Sequence, residues 1–198
     1  MIVRRFVLSV LAATFVAGSC GGDPPPPPPA PPAADQDSLQ RYRDSVAAAQ
    51  RAAAEAAARA AADSAAAAER ARRVAAAREV LEQRVYFDYD ESAIRPEAEA
   101  LLRSKAEILR ASPQVRIRIE GHADERGSTE YNLALGNRRA EAVREFLTDF
   151  GLSGDRFETT SFGEGRPLQT GSNEEAWTAN RRAEFVITAG ANSITPPN

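Results

Sequence analysis

The sequence predicts an α/β domain of the α+β sandwich kind, with helices packed on one face of a mixed sheet and a long alanine-rich helix in front. Three observations predict it. Val115, Ile117 and Ile119 alternate with Arg116, Arg118 and Glu120, the mark of a strand with one wet face. Apolar residues recur at helical spacing on both sides of that strand, after Pro96 and after Gly127. Residues 37–83 are dominated by alanine and contain neither glycine nor proline.

The totals bound the answer. The chain has 198 residues, but its large apolar side chains are concentrated after Val85, enough for one core of about a hundred residues. A net charge of −3 argues against nucleic acid as the main partner. One cysteine excludes an intramolecular disulfide and a cysteine-based metal cluster, and one histidine excludes a multi-histidine metal site.

Residues 1–19 read as an export signal. Arg4 and Arg5 precede an apolar run from Phe6 to Val16 that is too short to span a bilayer. Ala17, Gly18 and Ser19 lead into Cys20, an order that resembles a bacterial lipobox, with Ala17 where leucine is usual. That resemblance implies lipidation of Cys20; the other reading is an ordinary signal peptide cut near Ser19. Gly21 after the cysteine favours the outer membrane. Residues 20–36 continue as a linker in which Pro24–Pro29, Pro31 and Pro32 enforce polyproline II, a stiff spacer.

Residues 37–83 are expected to form one helix, with Ser38 as its cap. Arg51, Glu55, Arg59 and Asp63 stand four apart, so each can pair with the next. A solvated single rod and an alanine coiled coil are both compatible with this composition.

The domain proper is expected over 84–189. Val85 and Phe87 start a short strand, and Pro96 opens a helix carrying Ile94, Ala98, Leu101, Leu102, Lys105, Ile108 and Leu109 at its spacing. Ser112-Pro113 stops it before the central strand. The second helix starts at the Ser128 cap, buries Leu135, Ala142, Val143, Phe146 and Leu147, and ends at Gly151. A strand over 157–162 follows. A short helix with a Ser172/Glu175 capping box then holds Trp177 in the core. A last strand over 182–188 turns Ala183, Phe185 and Ile187 to one side. The order is β-α-β-α-β-α-β, and 190–198 reads as a disordered tail.

Asp124 lies just past the end of the central strand, where ligand residues commonly sit in α/β sheets. Arg139 interrupts the apolar stripe of the second helix, between Leu135 and Val143, and an arginine there needs an anion. Spacing leaves two readings open, an internal pair with Asp124 or another local carboxylate, or a site for a ligand anion. His122 reads as a strand-end packing residue, and Arg181 and Arg182 as structural or sheet-face residues.

These residues carry a resemblance. Gly121-His122-Ala123-Asp124-Glu125-Arg126-Gly127, Glu130-Tyr131-Asn132, Leu135-Gly136 and Arg138-Arg139-Ala140 stand in a pattern similar to the OmpA C-terminal domain family, in its branch of peptidoglycan-associated lipoproteins. Phe87-Asp88-Tyr89-Asp90, Ser161-Phe162-Gly163 and Asn180-Arg181-Arg182-Ala183 fit it as well, so the resemblance covers about 84–188. It implies a peptidoglycan ligand read at the meso-diaminopimelate of the stem peptide. In the family, the aspartate matching Asp124 takes the ammonium and the arginine matching Arg139 takes the carboxylate, which suits a guanidinium fork. Asn132 and the loop of Asp88, Tyr89 and Asp90 match pocket-lining positions. The resemblance also implies a TolB-like β-propeller partner in the Tol envelope system, no cofactor and no enzymatic activity. An enzyme would lack machinery: one histidine and no Ser-His-Asp set leave only Asp88, Asp90 and Asp124 as acid–base groups. The other reading is an OmpA-like periplasmic interaction protein outside the Tol system.

Overall fold

The structure is a computed structural model, and it describes residues 35–197. The expected signal peptide, Cys20 and most of the proline-rich linker lie outside the described residues. Within them, the elements are α1 (Gln36–Glu82), β1 (Val85–Tyr86), α2 (Pro96–Ala111), β2 (Arg116–His122), α3 (Thr129–Asp149), β3 (Phe157–Gly163), α4 (Glu174–Asn180) and β4 (Arg182–Ala189). After the leading helix this is the β-α-β-α-β-α-β order that the periodicities predict. No helix among the described residues is long and apolar enough to cross a membrane.

The four strands form one mixed sheet in the order β1-β4-β2-β3. β4 pairs antiparallel with β1 and with β2, and β2 pairs parallel with β3. Alternation along β2 decides which side is buried. Ile117 and Ile119 join Leu102, Ala106 and Leu109 of α2, Ala140, Val143 and Leu147 of α3, and Ala183 and Phe185 of β4 in one core. The other residues of β2 face Glu184 and Val186 of β4 in register, and ion pairs populate that side: Arg118 with Glu120, and Arg84 and Arg182 with Glu184.

The helix starts follow local chemistry. Pro96 occupies the first turn of α2, and the Ser128 hydroxyl accepts from the Tyr131 amide at the start of α3. Gly151 takes the left-handed conformation, φ 81°, just past α3. Two caps differ from expectation by a few residues. Asp35, not Ser38, caps α1, its carboxylate accepting from the Asp37 amide while the Ser38 hydroxyl turns back to the Asp35 carbonyl. Asn173, not Ser172, caps α4, accepting from the Ala176 amide at 2.9 Å, because an Asx side chain one residue closer reaches the same orphan donor.

Three larger expectations are corrected. The apolar core does not begin at residue 84: Ala77 and Leu81 of α1 are buried in it, and Val74 and Val80 pack against it. Lys105, on the buried face of α2, explains how that helix end is held. Its ammonium donates to the carbonyls of Val80, Leu81 and Gln83 at 2.7–2.8 Å and lies 3.7 Å from the Phe185 ring centre. The orphan carbonyls at the end of α1 are thereby satisfied by a buried cation at the negative end of the helix dipole. Residues 190–197 are not a loose tail. Ile194 enters the core, the Thr195 amide donates to Ser112 Oγ, and Arg73 donates to the Pro197 carbonyl. Trp177 is only half-buried and stands beside the candidate site.

Candidate ligand cleft at the end of the central strand

The path of α3 across the sheet fixes the site. Gly121 of β2 and Gly136 of α3 meet backbone to backbone: a Cβ on Gly121 would stand 1.8 Å from the Gly136 carbonyl oxygen. This close approach brings the first turns of α3 against the carboxyl end of β2. Asn132, one turn before Gly136, and Arg139, one turn after it, are therefore both carried to the segment that holds His122 and Asp124. A cleft of about 100 Å³ opens there, lined by Tyr89, Asp90, Asp124, Arg126, Gly127, Tyr131, Asn132 and Leu135.

Four of the six expected residues line that cleft: Asp124, Asn132, Tyr89 and Asp90. Asp124 is almost fully buried, and both its oxygens are engaged. Oδ1 accepts from the Arg126 amide and Nε at 3.1 and 3.0 Å. Oδ2 accepts from Arg126 Nη2 at 2.7 Å and from Arg181 Nη1 at 3.4 Å. Burial works to raise the Asp124 pKa, but the hydrogen bonds and charge of Arg126, helped by Arg181, outweigh it and hold the carboxyl below its ordinary value. Asp90 sits at φ 59°, a left-handed backbone that aspartate tolerates, and its carboxylate accepts from the Tyr131 hydroxyl. The Nδ2 of Asn132, a residue only 1% exposed, has no hydrogen-bond partner; its influence on nearby Glu164 falls short of a bond.

Asp88 and Arg139 stand differently. The Asp88 carboxylate is exposed and lies 3.8 Å from Arg95, so it contributes its carbonyl rather than its charge. Arg139 is fully buried and donates to three carbonyls, Glu91 through Nε at 2.8 Å, His122 through Nη1 at 2.8 Å and Asp88 through Nη2 at 3.0 Å. It makes no ion pair with Asp124 within 4.0 Å among the described residues. Burial pulls its pKa down to about 10, against the attraction of Asp124, and it stays a cation at neutral pH. Three of its five N–H groups bind carbonyls, none of which carries a full charge. A buried guanidinium held this way lacks a carboxylate of its own.

Two site residues were not legible as such. Arg126 lies inside the quoted motif, yet nothing in its spacing shows that its guanidinium stacks 4.0 Å from the Tyr89 ring centre and 4.1 Å from that of Trp177. Arg181 reads as structural from sequence, and the structure has it donate to the Phe87 carbonyl, Asp124 and Glu174 at once. The signal available for both was the excess of arginine around one aspartate.

Glu120, His122 and Glu184 place potential metal-ligand atoms within 4.8 Å of one another. Their chemistry does not favour a cation, because Arg118 pairs with Glu120, and Arg84 and Arg182 pair with Glu184. His122 is buried, its ring stacks on Phe162, and neither ring nitrogen has a partner. Burial first, then Arg182, lowers its pKa to about 4.

Residues 86–181 match the OmpA family. Over 104 residues the chain is 48% identical to the peptidoglycan-associated lipoprotein of Brucella melitensis, covering 52% of this chain and 62% of that relative. The crystal structure of the peptidoglycan-associated lipoprotein from Burkholderia pseudomallei aligns with a TM-score of 0.53 at 43% identity, over 54% of this chain and 91% of that one. The C-terminal domain of Helicobacter pylori MotB shares the fold alone, with a TM-score of 0.52 at 22% identity over 56% of this chain and 88% of that one. The chain spans less than two thirds of the length of the curated relatives it matches. The family match and the likeness to the Burkholderia pseudomallei structure, 91% of which is covered at 43% identity, show that this chain belongs to the OmpA family through residues 86–181.

Proposed function

We propose that this protein binds peptidoglycan noncovalently, reading the meso-diaminopimelate of the stem peptide in the cleft at the end of β2. The observation that carries the reading is a buried aspartate and an unpartnered asparagine amide lining one cleft, with a buried arginine that lacks a carboxylate two turns along the same helix as the asparagine. A group bearing an ammonium and a carboxylate on one carbon complements this set: the ammonium goes to Asp124, and the carboxylate to Arg139 and Asn132. Tyr89 and Asp90 wall the cleft, and Asp88 fixes Arg139 through its carbonyl. The names of the relatives from Brucella melitensis and Burkholderia pseudomallei, peptidoglycan-associated lipoproteins, support peptidoglycan as the partner. The arrangement positions and does not transform, since Asp124 is held ionised by its arginines and His122 is sealed away from the cleft lining.

With lipidation at Cys20, the protein is a periplasm-facing tether from the outer membrane to the wall. Residues 37–73 of the alanine-rich stretch act as the spacer, and a TolB-like propeller of the Tol envelope system is the protein partner. Tyr89, Tyr131 and Leu133 favour that partner, being large apolar side chains left exposed on or beside the cleft. Growth with radiolabelled palmitate, followed by fractionation, tests the anchor: label and outer-membrane retention lost in Cys20→Ala support it, and unchanged retention refutes it. Titrating the wall-bound protein with the propeller tests the shared surface: release of stem peptide supports overlap, and simultaneous binding refutes it.

A further inference from the structure

We infer that Arg126 is an intramolecular stand-in for the ligand ammonium, so that the cleft loads by cation exchange at Asp124; this deepens the proposed function and rests on it. A carboxylate offers about four acceptor positions, two on each oxygen. All four are taken at Asp124, three by Arg126 through its amide, Nε and Nη2, and one by Arg181. An arriving ammonium therefore finds no free acceptor.

The four bonds are not equally movable. The Arg126 amide is backbone, and the Arg181 side chain is buried and tied to Phe87 and Glu174. The Arg126 guanidinium is 29% exposed and lies between the faces of Tyr89 and Trp177. A second carboxylate waits beside it: Arg126 Nη1 is 3.9 Å from Glu174 Oε2, and Glu174 is largely exposed. Sliding between the two rings toward Glu174 would free one acceptor position on each oxygen of Asp124 while the guanidinium keeps both its stacking and an anion. Trp177 itself is oriented by its indole N–H, which donates to Glu125 at 3.1 Å.

The exchange sets specificity. Asp124 is buried and Arg181, at 3.4 Å, is the one cation left beside it when Arg126 moves, so a positively charged group is favoured to take the place of Arg126. A neutral ligand, such as the same peptide with that amine acetylated, leaves Arg126 in place. Competition from Arg126 also lowers affinity for the correct ligand, because part of the binding free energy goes to moving it.

Calorimetric titration of the whole chain with a stem peptide containing meso-diaminopimelate tests this. Arg126→Gln keeps the polar side chain and removes the competing charge. It is expected to bind the peptide about fivefold or more tighter than wild type, a change easily read by calorimetry. It is also expected to discriminate more strongly than wild type against the acetylated peptide, because Asp124 then has only Arg181 beside it. In parallel, the Arg126 Nε–H signal in NMR spectra is expected to shift when the wild-type cleft is saturated. Equal or weaker binding by Arg126→Gln, or an unmoved Nε–H signal at saturation, overturns the inference while leaving the peptidoglycan reading intact. Binding by Arg126→Gln alone supports the inference in its strongest form. Absence of binding by both proteins overturns the inference together with the function on which it rests.

Discussion

At the scale of single residues, Gly121 does more for the site than its lack of a side chain suggests. Its Cα lies against the Gly136 carbonyl, so Gly121→Ala has no room without pushing α3 off β2. The expected cost is about 3 kcal/mol or more in a denaturant titration, the upper range for overpacking, with the cleft disrupted as well. His122 supplies a pH prediction. Its pKa falls from 6.5 to about 4 because burial and Arg182 disfavour the imidazolium. Between those values the unfolded chain binds a proton that the folded chain does not. Stability is therefore complete above about pH 6.5 and declines as pH falls toward 4, by no more than about 3 kcal/mol from this group. His122→Phe, keeping the stack on Phe162, is expected to flatten the stability profile across that window in thermal melts; an unchanged slope would assign it to other groups. Asp124 and Asn132 were legible from sequence through the ordered motif around them. The pair of rings holding Arg126 was not, because Tyr89, Trp177 and Arg126 come from three separate segments and only the fold brings them together.

At the scale of elements, strand and helix identities followed directly from periodicity. β2 alternates because one side of the sheet faces α2 and α3, and the buried stripe of α3 is interrupted by two polar side chains, Asn132 and Arg139. Boundaries were less legible. An alanine-rich helix shows no change of composition where it enters the core, so the burial of Ala77 and Leu81 is invisible in sequence. Lys105 was visible only as a charge on an apolar stripe. Its role as a three-carbonyl cap depends on a helix end twenty-odd residues earlier. A chain beginning at 84 is accordingly expected to melt about 10 °C or more below one beginning at 70, since Leu81 alone represents roughly 2 kcal/mol of apolar burial. Lys105→Met is expected to expose α1 residues 74–82 to hydrogen exchange first. Equal melting of the two truncated chains would mean that the helix end contributes nothing to the domain.

At the scale of the whole molecule, the sheet divides the work. One face builds the core with α2 and α3, the other carries arginine–glutamate pairs, and the carboxyl end of β2 holds the cleft. The fold class was legible because hydrophobic period and element order constrain topology strongly. The chemistry of the cleft was legible only in part, since burial, carbonyl contacts and ion pairing decide what Asp124 and Arg139 are free to bind. In the proposed binding mode Asp124 receives the ammonium of a diaminopimelate-containing stem peptide. The most direct test is calorimetric binding of that peptide to the whole chain and to Asp124→Asn, with circular dichroism to establish that both are folded. Saturable binding by wild type, weakened about tenfold or more in the folded variant, is the predicted result. Equal affinity in the folded Asp124→Asn chain would contradict the account and place the ligand elsewhere.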